Sequence, residues 1–291
     1  AVRELNNNTS NKKGAIIYIR GGEYYFSRSL SLAPEDSGTD QYPVVYKSFN
    51  SEKVVFSGGS RLKGSLFKKV IDDEVLDRLP VESRNKVYQI DLKQNKILNF
   101  GKRVQHGFGF APAPAPLELF FNNEPLTVAR WPNKGKLKIG KVIDAGSYPR
   151  GGDFSNRGAT FGFNYERANR WKKADNIWLY GIFRHAYADD NLKVAKIDIE
   201  KKLITTLQPH VYSVASSDDT SDISLAHSAP MRGFYVQNLL EEIDEPGEWF
   251  LDELSGMLYV WPPSDMTRAL IEVSISAHPF VEMEGSSNIK F

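Results

Sequence analysis

The chain has 291 residues, of which 41% are hydrophobic and 25% are charged, and its formal net charge is +1. This length suits one large domain or two ordinary ones, and the composition is typical of a globular protein. The charge gives no whole-chain field that favours nucleic acid or an acidic membrane, and no apolar run is long enough to span a bilayer. Cysteine is absent, which excludes disulfides, thiolate metal sites and cysteine nucleophiles.

The first sixty residues predict the beginning of a coil of short strands. Residues 1–5 predict the end of an amphipathic helix with Val2 and Leu5 inward, and AIIYI at Ala15–Ile19 predicts a buried strand. Further short strands are expected at about 29–32, 44–48 and 54–57. Parallel strands need a long crossover, which a solenoid supplies by passing once around its coil. The turn at Asp36 predicts a side chain bonded to its own backbone.

The middle of the chain predicts a mostly antiparallel β insertion, with strands spaced by turns as in a sandwich or barrel. Residues 62–79 are charged and amphipathic and predict a helix ended by Pro80. The Gly/Pro-rich run HGFGFAPAPAP at 106–116 predicts a loop. Residues 192–199 and 202–207 predict a hairpin, and 213–221 predict a surface loop.

The stretch GFYVQNLLEEIDEPGEWFLDELSGMLYVWPP at 233–263 predicts a short helix or turn at 238–244 followed by a β-hairpin. The hairpin strands are expected at 249–252 and 258–261. Its aromatic residues predict core packing, and the alternative is that one of them is an exposed platform for a sugar ring. These aromatic residues are Trp249, Phe250, Tyr259 and Trp261.

The last residues show the same pattern of short strands and turns as the first sixty, with strands expected at 271–276, 280–283 and 289–291. We therefore predict an N-terminal β-helix cap and first turns at 1–60, an antiparallel insertion domain at 61–268, and resumed β-helix turns at 269–291. Neither end of the chain resembles a natural terminus, so the sequence predicts a truncated piece of a longer protein.

The densest group of reactive side chains is FRHAYADDN at 183–191, predicted as one loop. Glycosidic cleavage by the common route requires two carboxylic groups, one as acid and one as base or nucleophile. Adjacent residues of a strand point to opposite faces, so Asp189 and Asp190 are not expected to form that pair by themselves. Asp189, Asp190 and His185 are the catalytic candidates, and Arg184 and Tyr187 are substrate-binding candidates. The alternative is a turn in which Asp189 bonds backbone groups.

Arg130 and Trp131 form a second candidate, because Arg holds a carboxylate or sulfate bidentately and Trp stacks on a sugar face. The alternative is a strand end with Trp131 buried. Glu248 is the one carboxyl group of its acidic segment expected to face a cleft. No metal site is predicted, since no histidine pair has the i, i+4 spacing of a zinc protease helix, and no cofactor motif is present. The histidines are His106, His185, His210, His227 and His278.

Three runs carry a resemblance to a known group of proteins: PGEWFLDELSGMLYVWPP at 246–263, ARWPN at 129–133, and GGEYYFSRSLSLAPEDSGTDQYPVVYKSFNSEKVVFSGG at 21–59. Together they resemble secreted bacterial right-handed parallel β-helix proteins that act on polysaccharides, in particular glycoside hydrolase family 141. The resemblance follows the order of the sequence and covers essentially the whole chain. The resemblance implies a mostly all-β fold: the start of a right-handed parallel β-helix with an inserted antiparallel sandwich-like or barrel-like domain.

The resemblance also implies a function. It implies an N-terminal part of a polysaccharide-degrading hydrolase that removes α-L-fucose or cleaves xylan with an acid/base carboxylate pair, without a cofactor. The pair would lie on later coil turns, beyond residue 291, and the protein would be secreted, periplasmic or on the cell surface. The expected partner is a polysaccharide or other glycan, with no nucleic acid and no membrane span.

Two alternatives stay open at this point. Polysaccharide lyases also use the parallel β-helix and abstract a proton next to a uronate. A non-catalytic glycan-binding or surface protein, with the insertion as an adhesive module, is the third hypothesis. The sequence specifies neither the glycan and its linkage nor the oligomeric state.

Overall fold

A computed structural model describes residues 2–7 and 14–291, with side chains described for 2–4 and 14–291. Within these residues the chain is mostly β. Strands make up 32% of it and form several sheets, and helices make up 15%. It divides into two compact units. Unit 1 combines Ala1–Arg61 with Glu272–Phe291, and unit 2 is Leu62–Ile271. The predicted roles of 1–60, 61–268 and 269–291 stay predictions.

The strands of the described residues are, in chain order, β1 Ala15–Ile19, β2 Gly22–Tyr25, β3 Leu30–Leu32, β4 Val44–Ser48, β5 Val54–Ser57, β6 Gly59–Leu62, β7 Lys68–Lys69, β8 Tyr88–Asp91, β9 Leu119–Phe121, β10 Glu124–Pro125, β11 Thr127–Val128, β12 Arg130–Trp131, β13 Val142–Asp144, β14 Thr160–Gly162, β15 Trp178–Ile182, β16 Asp189–Asp198, β17 Leu203–Thr206, β18 Gly233–Gln237, β19 Glu248–Asp252, β20 Met257–Val260, β21 Ile271–Ser274, β22 Val281–Met283 and β23 Ile289–Lys290. The α-helices are α1 Val2–Asn7, α2 Asp73–Arg78 and α3 Ile223–Ser228. The 3₁₀ helices are Pro34–Asp36, Phe49–Ser51, Gly64–Leu66, Pro149–Gly151, Glu166–Lys173, Ala229–Met231 and Leu240–Glu242.

Unit 1 contains three groups of parallel strands. β4 lies between β1 and β23 and pairs in parallel with both, β2 pairs with β5, and β22 pairs with β3. The C-terminal strands therefore join sheets begun by the N-terminal segment. The buried Asp36 accepts a hydrogen bond from the Ala33 N–H at 2.8 Å, as predicted for its turn, and its carboxylate also binds Arg3. The inward position predicted for Leu5 lies outside the described side chains.

Unit 2 contains two larger sheets whose strands are mostly antiparallel. One has the strand order β11-β19-β20-β8-β7, and the other has the order β12-β18-β15-β16-β17-β14-β13. The exception is β11, which pairs with β19 in parallel. Neither sheet closes into a barrel within the described residues, so the barrel-like form of the prediction is wrong. Each sheet stays open and buries one apolar face against packed hydrophobic side chains.

The local predictions for 62–79 and 213–221 are wrong. Within 62–79 only α2 is an α-helix, and it begins where the Asp72 carboxylate caps the N–H groups of Glu74 and Val75. Upstream of it, Lys68–Lys69 pairs with β8, because long-range strand pairing outweighs local helix propensity. The segment predicted as a surface loop at 213–221 begins with three buried residues, and Val214 packs in the core.

The hydrophobic core of unit 2 includes two clusters of buried side chains. One includes Phe250 and Tyr259 of the predicted hairpin, with Trp261 packed against it, and Trp249 is also buried. Their predicted packing role is confirmed, and none of the three buried rings is an exposed platform. The other cluster lies against one face of the seven-stranded sheet. It includes Phe161, Phe183, Leu179, Leu192, Phe234 and Val236.

Candidate functional site

The seven-stranded sheet of unit 2 has one apolar face and one polar face, because successive side chains of a strand alternate in direction. In β18, Phe234 packs in the core and its neighbour Tyr235 lies on the opposite side. In β15, Leu179 and Tyr180 alternate in the same way. Tyr180 and Tyr235 are direct partners in the strand pairing. We call the surface that carries these two tyrosines the polar face.

The polar face carries two tyrosines held in contact with charged side chains. The rings of Tyr180 and Tyr235 lie 5.3 Å apart, and the Arg130 guanidinium lies 4.5 Å from the centre of the Tyr235 ring. The Tyr180 hydroxyl donates to Oδ2 of Asp189 at 2.8 Å. Burial and this carboxylate raise the pKa of Tyr180 to about 12, so its phenol remains a proton donor at neutral pH.

The segment 103–108 crosses the polar face and is anchored there by its backbone. The Val104 carbonyl accepts a hydrogen bond from Asn191 Nδ2 at 3.3 Å, and Gly107 forms an isolated bridge with Asp190. Gly107 has φ of 139°, and a Cβ at this position would lie 2.4 Å from the Asp189 carbonyl oxygen. Only glycine allows the backbone at 107 to lie this close to Asp189 without a movement of either segment. The anchor places Phe108 beside the residues that follow β15.

Five rings meet at the end of this segment, and we call them the aromatic cluster. Tyr212 is at its centre, with ring centroids 4.9 Å from His185, 5.8 Å from Tyr187, 6.0 Å from Phe108 and 6.4 Å from Tyr148. Tyr187 is 61% exposed, Phe108 42% and Tyr148 41%. Exposed rings that are supported by further rings offer flat apolar surface to a ligand.

The ring of His185 lies parallel to that of Tyr187, with an angle of 3° and centroids 5.6 Å apart. Burial and the nearby Arg184 lower the pKa of His185, so the imidazole is neutral at neutral pH. One ring nitrogen, Nδ1, lies 3.1 Å from the Ser224 hydroxyl. His185 therefore supports the exposed Tyr187 ring as an uncharged partner.

A fully buried Asp190–His210 pair lies beneath the aromatic cluster. Oδ2 of Asp190 lies 3.0 Å from His210 Nδ1 and accepts from Gln105 Nε2 at 2.9 Å, while Oδ1 accepts from the Asn191 N–H. The carboxylate accepts from the imidazole, so Nδ1 carries the proton and Nε2 is left without a partner among the described residues. The ring of His210 packs 6.1 Å from that of Tyr212.

The structure brings some of the sequence candidates together and separates others. His185 and Tyr187 lie in the aromatic cluster, and Arg184 donates to the Ser213 hydroxyl at 3.2 Å nearby. The side chains of Asp189 and Asp190 point in opposite directions, Asp189 to the polar face and Asp190 into the core. The loop predicted for 183–191 is wrong at its end, because Asp189 begins β16 and pairs with Ile182. Both oxygens of the enclosed Asp190 are occupied, so this carboxylate does not reach a substrate.

Arg130 and Trp131 also point to opposite sides. Arg130 lies on the polar face, and its Nη2 donates to the Asn133 carbonyl. Trp131 packs against the core, with its ring centroid 5.2 Å from Tyr165 and 6.0 Å from Trp171. Trp131 is half-buried and packs against the core of unit 2, while its predicted role in stacking on a sugar stays a prediction.

Glu248 lines a cavity of about 550 Å³ together with Arg130, Asn133 and the turn 245–247. Its Oε2 accepts from the N–H groups of Asp244 at 2.8 Å and Glu245 at 3.0 Å. Burial raises the pKa of Glu248 to about 7 even though these bonds favour the charged form. Glu248 therefore lies in the wall of a cavity, as expected from the sequence.

Sequence reasoning missed the residues that hold the candidate site together: Phe108, Tyr148, Tyr180, His210, Tyr212 and Tyr235. Two local signals were available. The run QPHVYS alternates His210 and Tyr212 at a spacing of two, and HGFGF places an aromatic ring between glycines. Neither signal indicates which distant segment the ring contacts.

Among the described residues, no group of three or more His, Cys, Asp or Glu side chains is arranged to hold a metal ion. No helix within residues 2–7 and 14–291 is long and apolar enough to cross a membrane.

Comparisons with known proteins give one informative match. No family model and no curated protein matches the chain. A solved structure described as "Glycoside hydrolase" is similar with a TM-score of 0.63 and 19% identity, over 99% of this chain and 44% of that chain. A second, described as "The complex structure of XylC with xylose", has a TM-score of 0.28 and 10% identity over 94% of this chain and 28% of that chain, which is too low to indicate a shared fold. The chain thus spans less than half of that protein, and its fold is similar to the part that it matches.

Proposed function

We propose that this chain is part of a polysaccharide-degrading glycoside hydrolase and contributes a glycan-binding surface to it. The observation that carries the proposal is the similarity of 99% of the chain to a glycoside hydrolase. The aromatic cluster supplies the surface, because rings such as Tyr187 and Phe108 are exposed and fixed from below by Tyr212. Such an arrangement suits stacking on the apolar face of a sugar ring.

The finer parts of the proposal concern architecture and chemistry. Unit 1 would be the beginning of a right-handed parallel β-helix, and its parallel pairs β1–β4, β2–β5 and β3–β22 support this. The whole protein would resemble glycoside hydrolase family 141 and act on fucosylated glycans or xylan outside the cytoplasm.

The catalytic carboxylate pair would lie beyond residue 291. Two features of the described residues support this part of the proposal. Asp190 is enclosed by its hydrogen bonds, and the accessible Asp189 binds the Tyr180 hydroxyl on a different face. Neighbouring carboxyl groups that face one cleft are needed for hydrolysis with acid and base catalysis.

The test compares the 291-residue chain with the whole protein on fucosylated oligosaccharides and xylan. We expect the whole protein to release reducing sugar and the 291-residue chain to bind glycan without turnover. Hydrolysis by the 291 residues at the rate of the whole protein would contradict the placement of the pair. Release of an unsaturated sugar, detected by its absorbance, would identify a lyase, and binding without turnover by the whole protein would identify a binding protein.

A further inference from the structure

The cavity that Glu248 lines belongs to unit 2 and is separate from the aromatic cluster. Its lining residues come from 121–127, 130–133, 245–248 and 263–264, and none of the five rings of the cluster is among them. Its volume of about 550 Å³ lies in the range of about 300–1,000 Å³ that is usual for sites that bind a small molecule. The cavity is therefore large enough to hold one sugar unit.

The wall formed by the turn 245–247 is fixed by hydrogen bonds. The Gly247 N–H donates to the Trp261 carbonyl at 2.7 Å, and the Gly247 carbonyl accepts from the Thr127 N–H at 3.0 Å. Glu248 also holds this turn, because its Oε2 accepts from two backbone N–H groups at 2.8 and 3.0 Å. A wall held in this way is ordered before a ligand arrives, so binding costs little conformational entropy.

The other oxygen of the Glu248 carboxylate is only weakly bonded. The residue is 4% exposed, and its Oε1 accepts from the Arg130 N–H at 3.4 Å. This distance exceeds the about 2.7–3.2 Å of an ordinary N–H···O bond. A buried carboxylate oxygen gains free energy from a stronger donor, because burial has removed the water that would otherwise bind it. An O–H group of a ligand in the cavity would supply that donor.

Arg130 contributes a hydrogen-bond donor to the same cavity. Its guanidinium is oriented by the Tyr235 ring, 4.5 Å away, and by the Asn133 carbonyl, to which Nη2 donates at 2.5 Å. Thr127 and Ser264, which carry hydroxyl groups, also line the cavity. Donors and acceptors around one cavity match the hydroxyl groups of a sugar, since each hydroxyl both donates and accepts.

The charge of the lining favours a neutral sugar over an acidic one. Among the described lining residues, Glu124, Glu245 and Glu248 carry carboxyl groups and Arg130 carries the one cationic group. An acidic sugar would bring a further negative charge beside these carboxyl groups, and such contacts between like charges are unfavourable. Apolar residues that suit the C–H face of a sugar ring complete the lining: Phe121, Pro125, Leu126, Pro246 and Pro263.

We propose that this cavity is a second glycan subsite, which binds one neutral sugar unit. In it, Oε1 of Glu248 accepts from a sugar O–H group and the Arg130 guanidinium donates to a sugar oxygen. The proposal rests on the proposed glycan-degrading function and deepens it, because it adds a subsite apart from the aromatic cluster and assigns a neutral sugar to it.

The subsite has a characteristic pH dependence. Burial raises the pKa of Glu248 to about 7, and a sugar O–H donor favours its carboxylate form. Sugar affinity should therefore rise by up to about tenfold between pH 6 and pH 8. The other charged groups that face Glu248 are those of Glu124, Arg130, Asp244 and Glu245. Glu248→Gln retains all four and removes the group near pH 7, so the variant should lose this rise.

Titration of the full 291-residue chain with monosaccharides tests the subsite without any need for turnover. L-Fucose and D-xylose are the neutral probes, D-glucuronate is the acidic probe, and the Gly247 amide signal is followed by ¹⁵N NMR. We expect at least one neutral sugar to shift this signal and glucuronate to bind at least about tenfold more weakly. Tyr187→Ala should leave the response of Gly247 unchanged, because Tyr187 does not line the cavity.

Arg130→Gln should weaken neutral-sugar binding about tenfold or more, because it removes a hydrogen bond from a charged donor. Arg170→Gln is the matched control, since Arg170 is exposed and lies in the 3₁₀ helix Glu166–Lys173, away from the cavity lining. If Glu248→Gln fails to fold, Arg130→Gln with an unchanged melting temperature carries the test.

Four results would overturn the subsite: no response of Gly247 to either neutral sugar, binding of glucuronate as tight as that of the neutral sugars, an unchanged rise with pH in Glu248→Gln, or an equal loss in Arg170→Gln. These results leave the proposed glycan-degrading function intact if the whole protein still hydrolyses a polysaccharide. Conversely, neutral-sugar binding that depends on Arg130 in a protein without hydrolase activity would support the subsite and contradict the enzymatic function.

Discussion

The two faces of the seven-stranded sheet are made by the same strands and have opposite physical characters. Phe234 is fully buried in the core, and the next residue, Tyr235, contacts Arg130 on the polar face. Asp190 is fully buried against His210, and the preceding Asp189 binds the Tyr180 hydroxyl. Alternation alone separates a side chain that stabilises the fold from one that is available for a ligand. In each pair of adjacent residues, a substitution on one face therefore serves as the matched control for a substitution on the other.

The largest effect is expected from Phe234→Ala, which removes a fully buried ring from the core face. The loss of packing and the cavity should lower the free energy of unfolding by about 3–5 kcal/mol. Tyr235→Phe removes one hydroxyl from the polar face and should cost less than about 1 kcal/mol. Urea denaturation of both variants measures the contrast, and equal losses would show that the two faces do not differ in this way.

The second contrast compares the two adjacent aspartates. Asp190→Asn removes the charge that binds His210 and Gln105 in a fully buried position, and should lower the free energy of unfolding by about 2–3 kcal/mol. Asp189→Asn keeps an acceptor for Tyr180 at a partly exposed position and should cost about 1 kcal/mol or less. The same denaturation experiment measures both, and a larger loss for Asp189→Asn would reverse the assignment of faces.

A pH experiment extends the comparison to a carboxyl group buried outside this sheet. Because burial raises the pKa of Glu248 to about 7, the folded state holds this proton more tightly than the unfolded state, whose ordinary value is near 4.5. The stabilising contribution is complete below pH 4.5 and is lost as the pH rises through 7. The slope should be on the order of 1 kcal/mol per pH unit between these values.

Glu248→Gln should flatten this part of the stability profile, because the amide does not titrate. Denaturation of the wild type and the variant at pH 5, 6, 7 and 8 provides the measurement. Glu242, whose pKa is also raised chiefly by burial, is retained in both proteins and serves as the common background. An unchanged slope in the variant would assign the pH dependence to another group.

The smallest effect on stability is expected from Tyr187→Ala, because this ring is 61% exposed. The change in the free energy of unfolding should stay within about 0.5 kcal/mol. Glycan affinity should nevertheless fall about tenfold, since a stacking ring is lost. Tyr42→Ala, at a tyrosine that is 51% exposed in unit 1, is the matched control. Equal affinities of the wild type and Tyr187→Ala for a bound glycan would remove the aromatic cluster from the binding surface.

Much of the local structure could be predicted from the sequence, because it depends on neighbouring residues. The strands Val44–Ser48 and Val54–Ser57 have the predicted bounds, and the hairpin of β19 and β20 lies within a residue or two of its expected position. The opposite directions of Asp189 and Asp190 also follow from strand alternation. The helix predicted over 62–79 was wrong because pairing between Lys68–Lys69 and β8 joins residues that are distant in sequence.

The sequence by itself determined the β character of the chain, the turn glycines and the alternation that gives each strand two unlike sides. Only the tertiary structure decided which distant side chains meet. Phe108, Tyr148, His185 and Tyr212 converge on one cluster through strand pairings that no local pattern specifies. The physical reason is that alternation fixes a side chain's direction within its strand, whereas its partners depend on how the whole sheet buries its apolar face.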